Sequence, residues 1–125
     1  MNKLIIASTF KTPGIHFDDE SGVLAISGRV FPENPSAFFE PIIAWINAYL
    51  KAPSKQSTLV LSLSYFNSSA NEYLFRCCKY IEAISDAGND SKIVWEYESD
   101  DEDMRQMGED FKELLKINFE IKAIN

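Results

Sequence analysis

Apolar residues recur along this chain with two periods, about 2 and about 3.6 residues, and the switches between them mark its elements. The short apolar run in Met1-Asn2-Lys3-Leu4-Ile5-Ile6-Ala7 reads as a first strand. Ile15-His16-Phe17 and the segment Val23 to Val30 read as two more. Between them Asp18-Asp19-Glu20-Ser21-Gly22 supplies turn residues, which predicts a hairpin.

The period then changes. Asn34 suits a helix N-cap and Pro35 the first helical position. Phe38, Phe39, Ile42, Ile43, Trp45, Ile46, Tyr49 and Leu50 follow at helical spacing, and Pro53-Ser54 closes the helical region. Pro41 lies inside it. An interior proline removes one backbone hydrogen bond and costs on the order of 3 kcal/mol, which predicts a kink or a fresh start there.

Thr58 to Phe66 reads as a strand, apolar early, as for a central strand buried on both faces, and alternating later. Asn67-Ser68-Ser69 leads into a helix with Ala70, Leu74, Cys77, Cys78, Ile81 and Ile84 on one face, ended by Gly88. Lys92 to Glu98 is the next strand. Asp100 is placed to cap a third helix, whose core face would carry Met104, Met107, Phe111, Leu114 and Leu115. Ile117, Phe119 and Ile121 alternate with polar residues in a last strand.

Helices between strands demand crossover connections. The predicted fold is therefore α/β: one domain over residues 1–125, with a mixed, largely parallel sheet, an N-terminal hairpin and three main helices. Its 125 residues suffice for an independent core.

Charge narrows the function. A formal net charge of −7 argues against nucleic acid and against an anionic membrane surface, both of which need a basic patch. No apolar run approaches the ~20 residues that span a bilayer, and the N-terminus lacks a signal-peptide core. The two cysteines, Cys77 and Cys78, are adjacent and cannot easily close a disulfide, which fits the reducing cytoplasm. With a single histidine, His16, and no spaced cysteine pair there is no zinc signature. Phosphate-binding and hydrolase motifs are absent too, so neither a cofactor nor an enzyme is indicated.

Two features could carry chemistry. The first is Tyr65-Phe66-Asn67-Ser68-Ser69, where a central strand hands over to a helix. Ligands and modifications favour such carboxyl ends, and the helix start offers free N–H groups and positive potential. The plain alternative is capping, since Ser69-Ala70-Asn71-Glu72 matches the S-x-x-E box. That assignment leaves the Ser68 hydroxyl free, one step outside the helix. The second feature is the segment Glu96 to Glu113, with nine acids and two bases. Acids at a helix start offset the macrodipole, and this is its structural reading. A surface for a basic partner, or a small metal-binding protein or enzyme, is the functional alternative. A constitutive scaffold is the third.

Three stretches together resemble a family. They are Ile26-Ser27-Gly28 through Pro32-Glu33-Asn34-Pro35 and Phe38-Phe39-Glu40-Pro41, then Tyr65-Phe66-Asn67-Ser68-Ser69, then Trp95-Glu96-Tyr97 with Asp100-Asp101-Glu102-Asp103-Met104 and Gly108-Glu109-Asp110-Phe111. The chain resembles the SiaC family of bacterial regulatory phosphoproteins over nearly its whole length. The resemblance implies a fold like that of anti-sigma-factor antagonists of the STAS type. It also implies a non-enzymatic switch in cyclic-di-GMP and biofilm signalling. A kinase phosphorylates the Thr that follows Tyr-Phe-Asn, a PP2C-type phosphatase reverses this, and the unphosphorylated form binds and activates a diguanylate cyclase. The matching position is Ser68, a serine where the family pattern has threonine, with Ser69 as the nearby alternative. The implied partner-binding residues are Tyr65, Asn67, Ser68, Ser69 and Glu72.

Overall fold

In the computed structural model, which describes residues 1–125, the elements follow in the predicted order. They are β1 (Leu4–Ile6), β2 (Gly14–Asp18), β3 (Val23–Val30), α1 (Pro35–Tyr49), β4 (Gln56–Phe66), α2 (Ser68–Asp86), β5 (Asp90–Glu98), α3 (Glu102–Leu114) and β6 (Asn118–Ile124). The six strands form one sheet in sequential order, β1 to β6. β1, β2 and β3 are antiparallel, and β3 to β6 are parallel. The α/β class, the N-terminal hairpin and the mixed sheet are as expected.

The three parallel crossovers all step the same way. Right-handed crossovers then put α1, α2 and α3 on one face and leave the other open. This corrects the expectation that β4 is buried on both faces. Its Ser57, Leu59, Leu61 and Leu63 are buried under the helices, while Thr58, Val60 and Ser62 on the open face are half-buried. The core lies between sheet and helices. Ile15, Phe17, Leu24, Ile26, Leu59, Leu61, Ile93 and Trp95 meet Phe39, Ile42, Ile46, Leu74, Cys77, Ile81 and Phe111 there.

The ends of the helices explain where they stop and start. Gly88 takes φ +93° after α2, and the N–H groups of Gly88 and Asn89 donate to the carbonyls of Ser85 and Ile84. That pair of bonds is a Schellman C-cap. α1 runs unbroken through Pro41, against the predicted kink or restart. Pro41 and Ala37 both face solvent, so water can satisfy the Ala37 carbonyl that the missing N–H leaves free. The cap of α3 is Asp101, not Asp100: the Asp101 side chain accepts from the Met104 N–H at 3.0 Å. Asp100 instead sits in the turn closed by the Asp101 N–H on the Glu98 carbonyl.

α3 is held to the sheet by one large side chain. The Trp95 indole N–H donates to the Met104 carbonyl at 3.1 Å, and its ring packs on Phe111. Gly108 lies so close that a Cβ there would meet the Trp95 ring at 2.6 Å. This tight contact uses a narrow face of α3. Met104, Phe111 and Leu115 are buried as expected, but Met107 and Leu114 are exposed, Leu114 by 68%.

Candidate functional site

The parallel topology sorts the loops into two sets. The β3–α1, β4–α2 and β5–α3 connections, together with the β1–β2 loop, gather at the carboxyl edge of the sheet. All three helices therefore begin there, each with its positive end outward.

Ser68 sits in the middle of this edge. It is the first residue of α2, inside the helix and not one step before it, and it is exposed. The cap is Asn67, whose side chain accepts from the Ala70 N–H at 2.9 Å. This replaces the capping box expected from Ser69. Asn67 wins because its side-chain carbonyl reaches the N–H three residues on, while its own carbonyl accepts from Asn71. Two consequences follow for the serines. Neither the Ser68 nor the Ser69 hydroxyl has a protein partner, and their backbone N–H groups stay free for water or an incoming anion. Glu72, one turn further on, is exposed as well.

A β-bulge shapes the strand before it. Gly28 pairs with Leu63 and Arg29 with Tyr65, so Ser64 is an extra residue on β4. Strict alternation would turn Tyr65 into the core after Leu63. The bulge turns it outward instead, 50% exposed, and returns Phe66 to the core. Of the five residues expected at the site, Tyr65, Ser68, Ser69 and Glu72 thus share one exposed edge. Asn67 lies among them half-buried, engaged in capping.

Sequence reasoning missed three neighbours: Phe10, Arg29 and Phe31. The Phe10 and Phe31 rings meet edge-to-face at 5.8 Å, and Phe31 meets Tyr65 the same way at 5.5 Å. The Arg29 guanidinium lies 4.4 Å above the Phe10 ring. The available signal was Gly28 inside a strand pattern, which marks a bulge or a bend.

The remaining candidates have structural roles or none at this edge. Asp101 caps α3, and Glu102 and Glu109 pair with Arg105 at 3.0 and 3.5 Å. No three carboxylate, imidazole or thiol groups converge on a metal-sized site. Cys77 and Cys78 are fully buried, and burial pushes the Cys77 thiol up to about 12 and Cys78 well above its ordinary value. Both are inert as nucleophiles. His16 is exposed on the open face of the sheet. No helix is long and apolar enough to cross a membrane.

Fold and site together define a class: a small two-layer α/β protein whose free hydroxyls and exposed aromatics collect at the carboxyl ends of its parallel strands. The chain belongs to the SiaC family of regulatory phosphoproteins, whose model matches residues 6–124. It is 28% identical to the crystal structure of apo-SiaC from Pseudomonas aeruginosa, with a TM-score of 0.90, covering 98% of this chain and 100% of that one. It is 29% identical, again with a TM-score of 0.90, to a chain in the structure of diguanylate cyclase SiaD in complex with its activator SiaC from the same organism. That match covers 97% of this chain and 99% of the other. An uncharacterised protein of Pseudomonas aeruginosa strain UCBPP-PA14 is 28% identical over 123 residues, 98% of each chain.

Proposed function

We propose that this protein is a non-enzymatic switch in which phosphorylation of Ser68 controls binding to a diguanylate cyclase. A Ser/Thr kinase transfers the terminal phosphoryl group of a nucleoside triphosphate to the Ser68 Oγ, which loses its proton. A PP2C-type phosphatase returns the hydroxyl by hydrolysis. Only the unphosphorylated form docks the cyclase, in the cytoplasm, through the edge formed by Tyr65, Asn67, Ser68, Ser69 and Glu72. Ser69 is the alternative phosphoacceptor.

The observation that carries this reading is the division of labour at the start of α2. Asn67 does the capping, which leaves the exposed Ser68 hydroxyl without a structural task. A phosphoryl group there adds about −1.5 to −2 charges to the docking surface. Burying that charge without a partner costs on the order of 3–5 kcal/mol, enough to weaken binding about a hundredfold or more. The relative solved with SiaD supports the choice of partner.

The test is calorimetric titration of purified SiaD with unmodified protein, Ser68→Ala and authentic phospho-Ser68 protein. Unmodified protein and Ser68→Ala are expected to bind alike, and the phosphoprotein about a hundredfold more weakly. Equal affinity of all three rejects the switch.

A further inference from the structure

The exposed rings next to Ser68 have no task in the fold. Phe10 is 67% exposed, yet it is held firmly. It stands on a turn in which the Thr9 hydroxyl meets the Thr12 hydroxyl at 2.6 Å and accepts from the Thr12 N–H at 3.0 Å. The Thr9 N–H closes the turn on the Thr12 carbonyl at 2.9 Å. The turn is pinned to the end of β3 by the Phe31 N–H on the Lys11 carbonyl, and by Lys11 and Glu33 paired at 2.8 Å. An exposed aromatic kept in one place is costly for a lone protein and useful to a docking one, because little side-chain freedom is then lost on binding.

The rings are continuous with the phosphorylation site. Phe31 bridges Phe10 and Tyr65. The Asn67 N–H donates to the Val30 carbonyl at 3.3 Å, so the residues beside Phe31 and Ser68 are directly bonded. Charge adds a second feature. Arg29 has no carboxylate partner and Lys11 is paired with Glu33, so one unpaired cation stands against the rings on a chain of net −7.

We propose that Phe10, Phe31 and Tyr65, with Arg29, are the anchor by which this edge grips its partner. Its occupant is a segment of the diguanylate cyclase that presents an apolar side chain beside a carboxylate. The apolar group packs on the rings and the carboxylate takes Arg29. Aromatic and arginine side chains dominate the energetics of such centres. The proposal rests on the switch reading for the partner, and adds where the binding energy comes from. The unpaired Arg29 guanidinium against the Phe10 ring selects an apolar side chain with a carboxylate beside it over a purely apolar one.

The experiment titrates purified SiaD with unmodified protein, Phe10→Ala and Arg29→Ala, and adds authentic phospho-Ser68 protein as a separate arm. Both side chains are exposed, so melting temperatures should stay unchanged. Phe10→Ala is expected to lose at least tenfold in affinity, and Arg29→Ala about fivefold with a weaker salt dependence. Unchanged affinity of both variants overturns the anchor, whatever the phosphoprotein does. Undiminished binding by the phosphoprotein overturns the switch and leaves the anchor standing if Phe10→Ala is weak. Failure of unmodified protein to bind SiaD overturns both. Light scattering distinguishes the other occupant: a dimer of this chain that Phe10→Ala dissolves overturns the proposal.

Discussion

The amino edge of the sheet and the β4–α2 junction at its carboxyl edge use hydroxyl groups in opposite ways. At the amino edge, hydroxyls are consumed by the fold. Tyr49 and Ser57 share a buried hydrogen bond at 2.7 Å, and the Tyr49 oxygen also accepts from the Ser54 N–H at 3.1 Å. Ser54 donates to the Asp19 carbonyl, and Ser91 donates to the Ile81 carbonyl. The only buried polar or charged residues of the protein, Ser57 and Glu82, both lie at this end. At the carboxyl edge Ser64, Ser68 and Ser69 are exposed, and their hydroxyls bond to no protein group. The amino edge stabilises, and the junction is left chemically available. A two-layer fold can divide its tasks this way because crossovers send the turns that must be sealed to one end and the helix starts to the other.

The largest effect should come from damage to the sealed edge. Tyr49→Phe removes one hydroxyl and strands the buried Ser57 hydroxyl and the half-buried Ser54 N–H. Leaving buried polar groups unpaired costs about 1–3 kcal/mol each. Urea denaturation should show a loss of that order, with SiaD affinity of the folded protein unchanged. A variant that keeps its stability but loses its partner would erase the distinction between the edges.

The second test separates the residues of the junction. Asn67→Ala removes the α2 cap and should cost about 1 kcal/mol of stability. Ser69→Ala removes a hydroxyl that bonds nothing, and should be neutral within about 0.5 kcal/mol. The opposite order of effects would restore Ser69 as the cap.

That pair of substitutions also shows what the sequence could and could not say. The order of elements was legible because each period change is long and punctuated by Gly, Pro or Asn, as at Gly22, Asn34 and Gly88. The exposed strand-to-helix handover at Ser68 was legible from the order of elements, and the family motif made it the candidate site. Three things were not. Asn67 outcompeted the Ser69 capping box, since both residues are good caps and only backbone geometry decides between them. Pro41 stayed inside α1 because its freed carbonyl faces water, and solvent exposure cannot be read from a proline. Phe10 comes from one segment and Arg29 and Phe31 from another, and only the bulge at Ser64 and the Thr9–Thr12 turn bring them to Tyr65. Met107 and Leu114 fit a helical face by spacing, but Gly108 sets α3 so close to Trp95 that only a narrow stripe is covered.

A third prediction asks whether the open edge is also indifferent to modification in the free protein. Phosphoryl oxygens on Ser68 lie beside free N–H groups at a helix start, where negative charge gains about 0.3–1 kcal/mol. Phosphorylation should therefore raise the melting temperature slightly while it weakens partner binding. A falling melting temperature would mean that the Ser68 hydroxyl carries structure after all.

The smallest expected effect lies at the sealed edge and depends on pH. Glu82 pairs with Lys79 at 2.8 Å and accepts from the Lys116 N–H, which ties the loop before β6 to α2. The hydrogen bond from Lys79, and then that from the Lys116 backbone, holds its carboxyl below the ordinary glutamate range. A depressed folded-state pKa means stability that is fully present above the unfolded value of about 4.3 and is lost as pH falls through the folded one. Glu82→Gln keeps an oxygen for the Lys116 N–H but gives up the charge. At neutral pH it should be less stable than the natural chain by roughly 0.2–0.5 kcal/mol, the range of a single helix-surface ion pair. The gap should begin to close below the unfolded value of about 4.3 and vanish as pH falls through the lower folded one, where the natural carboxyl is protonated too. Urea midpoints measured from pH 7 down to pH 3 read this directly. A gap that stays constant or widens in acid would show that the Lys116 bond, not the charge, holds this end of the sheet shut.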